Sequence, residues 1–322
     1  MPNLCGCLPF NKKTKGKKKE KIEKEGGDDE LASGAQASDT ELTDGIGALE
    51  LFDNCRGPAE GVDLVFVHGL RGSRVKTWSQ GDACWPRDFL KDDMENARGI
   101  TWGYDANIAN AFSFASQESI FGHAEALLID LSNWRKNITR PIIFICHSLG
   151  GLVVEKALVK SFMERDTPKI LRLGLIHDNT LGVVFMGTPH RGSSVEETYG
   201  ELAVKVAYGA LRQPNRQLLQ TLKRDSHILE DLRTSFMTAS KDLHIVCIRE
   251  EVPTGAGLIV PEASASLDGA NVTRGSIRAN HMDMVKFRSK DAGYQRTLRF
   301  IESILDTARV KASRGTSSGG IF

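Results

Sequence analysis

Apolar and polar positions along the chain follow two alternating patterns. Short β-branched or fully apolar runs occur at "ALELF" (48–52), "VDLVFV" (62–67), "GITWGY" (99–104), "IIFIC" (142–146), "LGVVFMG" (181–187) and "LHIVCI" (243–248), and each predicts a strand. A shorter run, "SIRA" (276–279), is a further strand candidate. Longer stretches with helical spacing lie between several of them. Ile120, Ala124, Leu127, Leu131 and Trp134 share one helical face, and Val154, Leu158 and Phe162 share another. Strands that are apolar on both sides are buried on both faces. Their alternation with helices predicts right-handed βαβ crossovers and a mainly parallel sheet in an α/β domain.

The pattern breaks between Arg191 and Lys241, where about fifty residues pass without a strand. Leu218, Leu222, Leu229, Leu232 and Phe236 sit there at helical spacing, with Pro214 separating them from an earlier helix candidate. We read 193–241 as a helical insertion at the carboxyl edge of the sheet, a cap over the site in the first instance, with a packed structural helix pair as the alternative. The domain spans 46–310, and "KASRGTSSGGIF" (311–322) is expected to be a flexible tail. Residues 1–45 have a different character. Eight lysines and three glutamates fill 11–25, and an acidic, glycine-containing stretch follows to Gly45. Too little apolar surface is present to offset the entropy of ordering, so a disordered tail is expected. Cys5 and Cys7 precede the lysines. Acylation of both beside a polybasic run would supply the two signals that stable lipid anchoring requires, giving peripheral membrane contact.

Composition narrows the function classes. Of the 322 residues, 40% are apolar and 26% charged, an ordinary globular balance. A net charge of +1 argues against an overall grip on nucleic acid. The six cysteines lack the paired spacing of a zinc site or disulfide framework, and no signal peptide is visible, so a reducing, intracellular setting is expected. No run of 18 apolar residues occurs.

In a parallel sheet, chemistry collects beyond the carboxyl ends of the strands. The residues found there are His68-Gly69-Leu70, Tyr104-Asp105, Ser148, His190, Glu250-Glu251 and His281. Ser148, Glu250 and His281 give nucleophile, acid and histidine in the order of an α/β-hydrolase. A serine hydroxyl needs an imidazole to take its proton, and the imidazole needs a carboxylate to fix its tautomer. Ser148 sits in "CHSLGG", a strand-to-helix turn with small neighbours on the helix side, Gly150 and Gly151. Where the usual pattern G-x-S-x-G has its first glycine, this chain has Cys146. Cys146 belongs to the apolar strand, where a buried thiol is inert. The N–H groups of Leu149 and Leu70 are the expected oxyanion donors. His68 and His147 are expected to be internal hydrogen-bond partners. His190 is a rival base, although it precedes the acid in sequence. Glu250 and Glu251 are not separated by pattern, since successive side chains point to opposite sides and only one can face His281. Asp268 is an outside alternative.

Four blocks, "VDLVFVHGLRGSRVKTW" (62–78), "ITWGYDA" (100–106), "FICHSLGGLVVEKAL" (144–158) and "VVFMGTPHRGSS" (183–194), resemble the serine active site containing protein 1 family of α/β-hydrolases. The lipase-like domains of fungal NACHT receptors are similar in the same blocks, and the GPI inositol-deacylase group more distantly. The resemblance runs from about Gly47 to Phe300. It implies a serine esterase or lipase acting on carboxylic, and first of all lipid acyl, esters, with no metal or organic cofactor. It carries the nucleophile onto Ser148 and the histidine onto His281, and it points to Glu250 in "IREEVPT", which lacks the aromatic pair usual before that acid. Relatives linked to lipid remodelling imply a place at mitochondrial or endoplasmic-reticulum membranes. An acyltransferase would use the same triad, and a catalytically silent interaction module would keep the same shell.

Overall fold

The computed structural model describes residues 44–57, 60–106, 117–135, 139–166, 172–190, 226–255 and 257–317. Cys5, Cys7 and the lysine run lie outside them, as do residues 193–225 of the expected insertion.

Seven strands form one sheet. In chain order they are β1 (Gly47–Asp53), β2 (Val62–Val67), β5 (Ala97–Gly103), β6 (Ile142–His147), β7 (Thr180–Met186), β8 (His244–Glu250) and β9 (Val272–Ile277). A separate two-stranded ribbon is made by β3 (Ser79–Gln80) and β4 (Ala83–Cys84). The spatial order is β1-β5-β2-β6-β7-β8-β9, with β1 antiparallel to β5 and every other neighbour parallel. Among the helices are α1 (Gln117–Trp134), α2 (Leu149–Met163), α3 (Gly174–Asp178), α4 (Ser226–Ala239) and α5 (Ala292–Ser317).

Period-two alternation in the fully buried strands feeds two cores. Val65, Val67, Phe144, Cys146, Phe185 and Cys247 face one side and pack with Leu127 and Leu131 of α1, Leu152 and Val153 of α2, and Phe236 of α4. Leu64, Phe66, Ile145, Met186 and Ile248 face the other, against Trp78, Trp85 and the Tyr294, Leu298, Ile301 and Ile304 stripe of α5. This second core is aromatic: Phe66 meets Trp78 and Trp85 edge-on at 5.2 and 5.4 Å.

The described part of the expected insertion packs on the sheet, and one expected boundary shifts. The described part of the 193–241 segment, α4, buries Leu232 and Phe236 in the first core, with the Phe236 ring 5.8 Å from Phe185. It therefore covers the sheet beside α2. The helix α5 continues through Ser317, seven residues into the expected tail that begins at Lys311. Once a helix is nucleated, adding residues such as Lys, Ala and Arg costs little even where nothing packs on them.

One buried polar cluster sits at the amino ends of the central strands, away from the carboxyl edge. Asp63, the second residue of β2, accepts from Arg98 on β5 (2.9 and 3.0 Å), Arg135 after α1 (2.9 Å) and Arg140 before β6 (3.3 Å). Arg135 also donates to the Arg140 carbonyl, and the Arg98 guanidinium lies 4.4 Å over the Trp134 ring. One carboxylate thus ties four segments together.

Candidate active site

The turn after β6 is set by close backbone approach. Ser148 has φ +53° and ψ −130°, a conformation L-residues rarely hold and one that costs on the order of 1–3 kcal/mol. Its N–H donates to the Met186 carbonyl (2.9 Å), and its own carbonyl accepts from Gly151 (3.0 Å). A Cβ on Gly150 would overlap the His68 carbonyl, and one on Gly151 would overlap the Thr188 side chain. These two positions require glycine. Cys146 on the strand side is fully buried in the first core, and burial pushes its thiol well above the ordinary range. It is a packing residue.

Three strand ends converge on this turn. His281 Nε2 lies 2.9 Å from Ser148 Oγ, and His281 Nδ1 lies 2.6 Å from Glu250 Oε2. Glu250 is the last residue of β8; its other oxygen accepts the N–H groups of Ile259 and Val260 (3.3 Å for the latter). With both oxygens engaged, the carboxylate has one orientation, and Nδ1 of His281 is the protonated nitrogen. That leaves Nε2 as the acceptor facing the serine hydroxyl. His147 Nε2 donates to the His281 carbonyl (2.9 Å), holding the histidine's backbone. Burial and the neighbouring His281 push His147 far below its ordinary range, so it is a neutral donor. Ser148 is 1% exposed and His281 is fully buried.

The "HGL" loop lies against the serine: a Cβ on Gly69 would come 2.7 Å from Ser148 Cβ. His68 Nε2 accepts the Tyr104 N–H (3.3 Å), so Nδ1 carries the proton and donates to the Gly69 carbonyl (2.9 Å). Its ring stacks on Tyr104 at 4.3 Å, and burial pushes its pKa down to about 4. Among the described residues, the N–H groups of Leu70 and Leu149 donate to no protein acceptor. Two free amides beside a serine are the elements of an oxyanion site.

The alternatives lie elsewhere. Glu251 is exposed, and its N–H turns to the Ile277 and Ala279 carbonyls (3.1 and 3.2 Å). Asp268 pairs with Arg274 at 3.0 Å, away from His281. His190 does not reach Ser148; its Nδ1 donates to Glu155 of α2 (2.5 Å), and its Nε2 faces Cys247 Sγ at 3.7 Å. Burial opposes the charge on His190, but Glu155 and Cys247 overcome it and raise its pKa to about 9. Glu155 is fully buried, and the sequence reading missed it because a Glu-Lys pair on a helix looks like a solvated face. Its spacing from Ser148, two turns along the same helix and facing the sheet, was the available signal.

A sheet of this strand order, reversed only at its first strand, with a serine on the tight turn between a central strand and its helix, defines an α/β-hydrolase, and this chain is one. No family model matches it. It is similar to Protein SERAC1 of Danio rerio, 31% identical over an alignment of 278 residues that covers 77% of this chain and 40% of that protein. Protein SERAC1 of Bos taurus is 30% identical over an alignment of 268 residues that covers 76% of this chain and 39% of that protein. The chain therefore spans about 40% of the length of the curated relatives it matches. Among solved structures, the mature Bacillus licheniformis lipase BlEst2 aligns with TM-score 0.47 at 16% identity, covering 80% of this chain and 97% of that one. A Paleococcus ferrophilus monoacylglycerol lipase aligns with TM-score 0.44 at 12% identity, covering 81% and 99%.

Proposed function

We propose that the protein is a serine hydrolase of carboxylic esters, lipid acyl esters foremost. The reading rests on the hydrogen-bond chain from Ser148 Oγ through His281 to Glu250, at 2.9 and 2.6 Å. In this mechanism Ser148 Oγ attacks the acyl carbon while His281 Nε2 takes its proton. Glu250 holds the Nδ1–H and stabilises the imidazolium. The N–H groups of Leu70 and Leu149 receive the oxyanion, each contributing about 3–4 kcal/mol to the transition state. As the C–O bond breaks, the leaving alcohol takes the proton from His281. Water then attacks the acyl-enzyme by the same steps in reverse, and Ser148 is regenerated.

Similarity to Protein SERAC1 and to lipases supports an ester substrate by analogy. A fluorophosphonate probe should label the wild-type serine and leave Ser148→Ala unlabelled. Equal labelling of both would overturn the nucleophile assignment, and no labelling of either would favour a silent hydrolase shell. The enclosure of Ser148 favours a second reading, acyl transfer to an alcohol with water shut out. Release of acyl-alcohol in place of free acid when an alcohol acceptor is supplied would select it. We further propose that acylated Cys5 and Cys7, with the lysines that follow, hold the protein at a membrane. Fractionation of Cys5→Ser/Cys7→Ser against wild type tests this, and an unchanged soluble pool in both sinks it.

A further inference from the structure

A cavity of about 310 Å³ lies among the end of β9, the segment that follows His281, and the first turn of α5. Three cationic side chains line it: Arg278, Lys286 and Arg296. Their charges are poorly neutralised. Among the described residues Arg278 forms neither a hydrogen bond nor an ion pair, and it is exposed. Arg296 uses one Nη1 on the Ser276 carbonyl (2.5 Å) and meets no carboxylate there. Lys286 Nζ stands 4.0 Å from Asp283, the outer limit of an ion pair.

The closest partners of the two carboxylates of the lining are neutral. Asp291 Oδ1 accepts the Tyr294 N–H (3.0 Å), and Asp283 Oδ2 accepts Asn280 Nδ2 (2.8 Å). Ala292 and Gly293 also line the cavity; as the first two residues of a 26-residue helix, they have N–H groups with no intrahelical acceptor. A helix start adds positive potential to that of the three side chains.

We propose that this cavity binds a phosphate-class anion. A tetrahedral oxyanion carrying up to two charges matches two guanidiniums, an ammonium and adjacent backbone N–H groups. The two aspartates at its edge restrict it to a compact group. The site is independent of the hydrolase reading, although it borders the same machinery. Ile277 in its wall pairs in register with Glu250, and Lys286 lies close enough to bear on His147, which holds His281.

The test is titration calorimetry of the full chain with inorganic phosphate, against sodium chloride at matched ionic strength. Saturable one-to-one binding is expected, weakened at least tenfold in Arg278→Gln. That side chain has no partner to lose, so the fold is preserved. Arg296→Gln should weaken binding similarly while also freeing Ser276. Absence of saturable binding beyond the chloride control, or equal affinity in wild type and Arg278→Gln, would overturn the proposal. Phosphatidylcholine vesicles with and without phosphatidic acid identify the source of the group. Phosphatidic-acid-dependent partitioning that falls in Arg278→Gln assigns a lipid headgroup. Equal partitioning of the two proteins, with phosphate binding still different, assigns a soluble phosphate. The comparison cancels any contribution from the lysine-rich N-terminal segment, which both proteins share.

Discussion

The buried His190–Glu155 pair should make stability depend on pH in an unusual window. The imidazole moves from an ordinary value near 6.5 to about 9, because Glu155 at 2.5 Å outweighs the burial that opposes its charge. At about 1.4 kcal/mol per tenfold change in proton affinity, this corresponds to about 3 kcal/mol. The folded-state value lies above the unfolded one. The contribution is therefore fully present below about pH 6.5 and is lost as pH rises through about 9. In Glu155→Gln only Cys247 is left to oppose burial, so His190 falls well below the wild-type value and most of this contribution is lost. Urea unfolding of wild type and variant, followed by fluorescence of the buried Trp78, Trp85 and Trp102, should show a stability gap at pH 6 that shrinks by about 3 kcal/mol at pH 9.5. With m near 3 kcal/mol/M, the gap amounts to about 1 M in midpoint. Other titrating groups cancel in the difference. A gap that stays constant across this range would refute the reasoning.

Further outcomes follow from the same geometry. Glu250→Gln should lower kcat for an ester substrate on the order of 10⁴-fold, by removing the carboxylate that fixes the His281 tautomer, while Glu251→Gln leaves it unchanged. Asp63→Asn strips three buried guanidiniums of their shared carboxylate and should cost about 3–5 kcal/mol in urea unfolding, equally at pH 6 and pH 9.5. Gly150→Ala pushes a methyl into the His68 carbonyl and should abolish soluble expression; Gly122→Ala, in α1 with open space around it, should raise stability by about 0.5–1 kcal/mol.

The strands were legible where they are buried on both faces. Val62–Val67 and Ile142–His147 stand almost where their apolar runs do, because a continuous apolar run of that length has few other homes. At the sheet's edge the signal fades: β9 reads "VTRGSI", half polar, and only its last two residues fell within the predicted run. The positions of Ser148, Glu250 and His281 were legible because strand ends are marked by the elements before them. Pattern alone did not choose between Glu250 and Glu251, since that depends on which side chain of an adjacent pair turns inward; only the resemblance pointed to Glu250. The buried charges were not legible. Asp63 meets Arg98, Arg135 and Arg140 across 35, 72 and 77 residues, and no local period records such a meeting.

At the carboxyl edge, the Ser148 N–H binds the Met186 carbonyl, and the Gly187 N–H binds the Ile248 carbonyl (2.9 and 2.8 Å). Main-chain hydrogen bonds therefore run rung by rung from the serine strand to the glutamate strand. The span between those two residues is a count of strands, two spacings of about 4.8 Å each, and His281 has only to bridge it. Side-chain substitutions can change what reaches Ser148 while this ruler stays fixed. Altering its length would require inserting or deleting a strand.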